Sequence, residues 1–167
     1  MKKHTSIVLR SLAALALAAA LFPGSVFGQE KRMTVDDLAK SSGVVVVGKV
    51  QALKSEWNSD KTRIYTRVTL GVDEYLKGQG QDRSVTIMTL GGEIGDVGEL
   101  YTHVPSFREN ESVVVFLEKA QDGTYSVSGG TQGKYIIEND RATGRPVVAG
   151  KSTLEEFRKV VKMAVEK

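Results

Sequence analysis

A chain of 167 residues with 41 % apolar side chains is long enough for one domain with its own core, and the absence of cysteine excludes disulfide scaffolds and thiol chemistry together. The formal charge of +3 comes from the first residues, since residues 1–28 carry three of the 23 Lys and Arg and none of the 20 Asp and Glu. The neutral remainder lacks the positive field that a nucleic-acid or anionic-membrane binder uses.

Residues 1–28 have the three parts of a secretory signal. Lys2, Lys3 and Arg10 give a positive start, residues 12–22 an apolar run, and Val26 with Gly28 a cleavage region. That run is too short for a membrane span. Cleavage after Gly28 is expected, which leaves a chain beginning at Gln29 in a bacterial-type periplasm or the medium.

Residues 33–41 read as a short helix, with Thr34 as N-cap, Asp37 three residues on, and Gly43 as the stop. Val44, Val45, Val46 and Val47 then open a first strand whose start is expected to be buried on both faces. A polar connection, residues 54–61, carries one Trp, Trp57.

The stretch 62–78, TRIYTRVTLGVDEYLKG, is the clearest element. Ile64, Val68, Leu70 and Val72 fall on one side, while Arg63, Tyr65, Arg67 and Asp73 fall on the other. Period two over this length predicts a long half-buried strand, and Gly71 is the expected place for a bulge. Residues 84–90 form a third strand. Residues 91–110 have no sustained period and hold Gly91, Gly92, Gly95, Gly98 and Pro105, so a long loop is expected.

Residues 112–119 give a fourth strand and 124–127 a fifth, joined by a turn containing Asp122 and Gly123. KYIIE at 134–138 and a short apolar piece at 146–149 follow. The tail changes period. Ser152 or Thr153 caps a helix whose stripe is Leu154, Phe157, Val160, Val161 and Ala164.

Short strands with Gly-rich turns and helices only at the margins predict an all-β fold: a small antiparallel barrel of the oligonucleotide/oligosaccharide-binding (OB) type with the C-terminal helix packed on it. A β-sandwich is the alternative. The expected division is a signal at 1–28, a segment with a short helix at 29–42, the barrel at 43–150, and the helix at 151–167.

The succession SSGVVVVGKV, IYTRVTLGVDEYLKG, SVTIMTLGGEIG, PSFRENESVVVFLEK and TQGKY resembles small exported bacterial domains of unassigned function. It is similar, more distantly, to the netrin-like barrel of the tissue inhibitors of metalloproteinases, from Ser41 to about Tyr135. The resemblance implies a barrel. Those inhibitors chelate the protease zinc through an N-terminal cysteine, and this chain has no cysteine.

Most candidate chemistry has a simpler reading beside it. GRPVVAGKST at 144–153 puts Gly-Lys-Ser before a helix, but five residues separate Gly144 from Gly150 where a phosphate loop needs four. His103 is the only histidine after residue 28, so a His-rich metal site within one chain is impossible, and any Ser-His hydrolase must use it. Glu93, Asp96 and Glu99 lack the dense spacing of a calcium loop. No metal or cofactor is expected.

Trp57, Tyr65, Tyr101 and Phe107 are the better lead, because OB-type barrels commonly bind on the face of strands two and three with adjoining loops; the simpler reading beside it has Tyr101 and Phe107 folding back as core plugs and Trp57 covering the barrel mouth. Arg67 and His103 join them as candidates. The expectation is an exported non-enzymatic module that recognises a protein or peptide partner. The alternatives are a protease inhibitor or metalloprotease-associated domain, and a hydrolase using His103.

Overall fold

A computed structural model describes residues 32–80 and 82–166, so the signal expected at residues 1–28 lies outside the described residues. A short helix α1, Val35–Ser41, precedes two long strands, β1 at Val44–Trp57 and β2 at Ile64–Lys77. β3 is Ser84–Leu90, β4 Gly92–Ile94, β5 Val97–Glu99, β6 Ser112–Lys119 and β7 Tyr125–Val127. A 3-10 turn, Gly130–Gly133, leads to β8 at Lys134–Asn139, β9 at Pro146–Val148, β10 at Ser152–Thr153 and helix α2 at Leu154–Val165.

Five strands close on themselves. The order runs β1, β2, β3, β7, β6 and back to β1, which is an OB-like barrel and sets the sandwich aside. β1 makes closure possible because it is long enough to pair with both β2 and β6. All contacts around the barrel are antiparallel except one: β3 meets β7 in parallel at the single pair Ile87 and Tyr125. β8, β9 and β10 extend the sheet outward from β6.

The valine run serves two cores, which is why it is apolar at every position. Val44 and Val46 point into the barrel with Val68, Leu70, Ile87 and Val115. Val45 and Val47 point outward, under the helices, with Leu38, Phe116, Phe157 and Val161. β6 alternates in the same way, so the start of β1 and most of β6 are buried on both faces.

Both helices begin on a reciprocal cap. Thr34 Oγ1 accepts the Asp37 N–H at 3.1 Å while Asp37 Oδ2 accepts the Thr34 N–H at 3.0 Å; Thr153 and Glu156 repeat the arrangement at 3.2 and 2.9 Å. Lys77 closes the other end of α1, donating to the carbonyls of Ala39 at 2.6 Å and Ser42 at 2.5 Å. α2 buries Leu154, Phe157, Val161 and Ala164, and Val160 from the expected stripe stays 44 % exposed. The Gly-Lys-Ser stretch is the turn between β9 and β10, closed by Lys151 N–H donating to the Val148 carbonyl at 3.1 Å. Among the described residues, no helix is long and apolar enough to cross a membrane.

Gly71 is not itself bulged, contrary to expectation; it pairs in register with Lys49. The register shifts lie around it, at Val45/Val46, Val47/Gly48 and Val50/Ala52. The reason Gly is needed is proximity: a Cβ on Gly48 would run into the Gly71 carbonyl, and one on Gly71 into the Gln51 side chain. The strands cross closely here and the flanking bulges turn the ribbon.

Candidate functional site

Beyond Val50 the β1–β2 ribbon continues past the barrel, and β6 no longer accompanies it. The segment after β3 folds back over the concave side of this ribbon and encloses a cleft of about 540 Å³ at the barrel mouth. Leu53, Val68 and Phe107 line its apolar part, and Ser55, Thr66 and Tyr101 its polar part.

Glycine and hydroxyls together hold the segment down. Thr66 Oγ1 donates to the Gly91 carbonyl at 2.7 Å and lies 3.1 Å from Ser55 Oγ, which also accepts the Glu93 N–H at 3.3 Å. Gly92, at φ 137°, fits because a side chain there would collide with both hydroxyls. The expected featureless loop thus contains a small hairpin, β4 with β5, lying across the ribbon.

Glu99 ties the far side of this hairpin to β2. Its Oε2 accepts from the Ile64 N–H at 3.0 Å and from the Tyr101 hydroxyl at 2.9 Å. The bond to Glu99, then loss of water, push the Tyr101 phenol above its ordinary value. Glu99 is therefore occupied as an anchor. Among the described residues no group of three or more His, Asp or Glu is placed to hold a metal ion.

Lys134 pins the end of the same segment. Its Nζ donates to the Ser106 carbonyl at 2.6 Å, pairs with Glu111 at 2.7 Å, and sits 4.7 Å from the centre of the Phe107 ring. The side chains of this ion pair are only 9 % and 11 % exposed.

The six sequence-predicted residues divide between different surroundings. Trp57 shares the concave face with Leu53 and Ser55 by strand alternation, and Tyr101 lines the cleft. Tyr65 and Arg67 occupy the opposite, convex face, where Arg67 Nη2 pairs with Glu56 Oε1 at 2.9 Å. Phe107 belongs to the barrel core and reaches the cleft only as part of its apolar wall. His103 lies in an exposed turn at φ 68°, and its carbonyl accepts the Thr131 N–H at 3.1 Å.

The most exposed apolar side chain in this region was not anticipated. Leu100, just after β5, is 94 % exposed, and Val97 within β5 is 48 % exposed. Leu100 also borders the cleft. A leucine in a stretch of Gly, Glu and Asp was the available signal; without a period it could not be oriented.

No protein-family model matches this chain, and no curated protein matches it significantly.

Proposed function

We propose that the protein is an exported, non-enzymatic binding module that captures a protein or peptide partner at the barrel mouth. The observation that carries this reading is Leu100, almost wholly exposed on the border of a 540 Å³ cleft that is apolar on one side and hydroxyl-lined on the other. An exposed leucine costs solvation unless a partner covers it, and a cleft of this kind accepts one apolar anchor while polar groups fix its orientation.

A protein partner suits the site better than an oligonucleotide. Arg67, the cation on the convex face of β2, is already committed to Glu56, and the chain after residue 28 has no excess positive charge. Export is supported by the signal pattern at residues 1–28, and places the partner in the periplasm or the medium.

A crosslinking pull-down of the tagged protein from the envelope fraction tests the reading. Leu100→Asp and Trp57→Ala are expected to reduce capture by about tenfold or more, as truncation of a central anchor does, while circular dichroism and the thermal midpoint stay near wild type. Tyr65→Ala, on the other face, is expected to have less effect. Capture unchanged in both Leu100→Asp and Trp57→Ala would sink the proposal.

A further inference from the structure

β6 accompanies β1 only to Lys49, with Asn110 and Glu111 still hydrogen-bonded to Val50. From Ala52 to Trp57, β1 has β2 on one edge and, among the described residues, no strand on the other. The direction of its main-chain groups follows from the hairpin end. Asn58 N–H donates to the Arg63 carbonyl, and Ile64, opposite Trp57, turns its N–H and carbonyl away to Glu99 and Gly91. Antiparallel ladders alternate bonded and non-bonded pairs, so the main-chain groups of Trp57, Ser55 and Leu53 point out of the open edge. Natural proteins block such an edge or use it.

The edge is complementary to itself when reversed. Its sequence is Leu53, Lys54, Ser55, Glu56, Trp57. Two copies laid antiparallel about an axis at Ser55 place Leu53 against Trp57 of the second copy on one face, and Lys54 against Glu56 of the second copy on the other. The outward-pointing residues then oppose one another, which is the mutually hydrogen-bonded arrangement. Lys54 is exposed and has no ion pair among the described residues. Glu56 engages Arg67 through Oε1, which leaves Oε2 for a second cation. Trp57, 37 % exposed, gains an apolar neighbour.

We propose that the protein pairs with a second copy of itself along residues 53–57 of β1, joining the two ribbons into one continuous sheet across a two-fold axis. The inference concerns the main-chain edge of the strand, whose Leu53 and Ser55 side chains also line the cleft, and does not depend on the identity of any other partner.

Sedimentation velocity of the purified protein across a concentration series, reaching about 100 μM because a short edge contact is small, tests it directly. The expected result is a concentration-dependent dimer, with Trp57 emission moving to the blue in parallel; it is the chain's one tryptophan. Lys54→Glu sets like charges at both cross-strand pairs and is expected to weaken the dimer about tenfold. Lys54→Glu combined with Glu56→Lys restores complementarity. Lys54 lies opposite Arg67 in register, so the carboxylate introduced at position 54 faces that guanidinium and keeps a pair within the ribbon. Circular dichroism verifies that each variant is folded. A protein that stays monomeric throughout overturns the proposal, as does a dimer indifferent to Lys54→Glu or not recovered by the swap, or an edge that pairs only with an added extended peptide.

Discussion

Lys134 does more for the site than any residue that lines it. One ammonium joins the Ser106 carbonyl, the Glu111 carboxylate and the Phe107 ring, and so fixes the end of the segment that roofs the cleft. Glu111→Ala is expected to destabilise the protein by about 3 kcal/mol, because it leaves a nearly buried cation without its counter-ion. Urea unfolding measures this. Combining Glu111→Ala with Lys134→Met is expected to be milder than the sum of the two, since the buried charges leave together. Neither role was legible in the sequence: Lys134 looks like the polar start of a strand, and its partners lie 28 and 23 residues away. Phe107 shows the same limit. An aromatic side chain in a segment of Gly and Pro reads either as an outward contact or as a core plug, and the fold seats it in the barrel core at the edge of the cleft.

At the level of elements, local signals translated well wherever they were reciprocal or periodic. Both helix caps were readable because Thr followed three residues later by an acid has one structural meaning. Thr153→Ala is expected to cost about 1 kcal/mol in thermal or urea unfolding. The pH dependence has a definite sign. The Thr153 backbone N–H, then its hydroxyl, hold the Glu156 carboxyl below its ordinary 4.5. This stabilisation is complete above the unfolded-state value and is lost as pH falls through the lower folded one. The difference in stability between wild type and Thr153→Ala is therefore expected to narrow on acidification below about pH 4.5. The hairpin of β4 and β5 escaped notice because two three-residue strands, each containing Gly, are too short to show a period. The bulges escaped too. Gly71 marked the bend, but its function is to admit another strand's close approach, and the extra residues sit beside it.

For the molecule as a whole, alternation specified a barrel but not its closure. The inward face of β2 follows directly from Ile64, Val68 and Leu70, all of them fully buried. That β3 and β7 meet in parallel at one pair is a property of the assembled barrel, and no local pattern encodes it. This seam is the least paired part of the wall. Amide exchange is expected to be faster in Tyr125–Val127 than in the centres of β1, β2 and β6, as short and sparsely paired strands open locally. Equal protection throughout would mean that the barrel opens only as one unit. The valine run carries a further implication. Four identical side chains fill two cores equally well when shifted by one position, so hydrophobicity alone does not number them. Gly48 does, because only that residue leaves space for the Gly71 carbonyl. The valines supply adhesion and carry almost no information about alignment; one missing side chain supplies the zero of the scale.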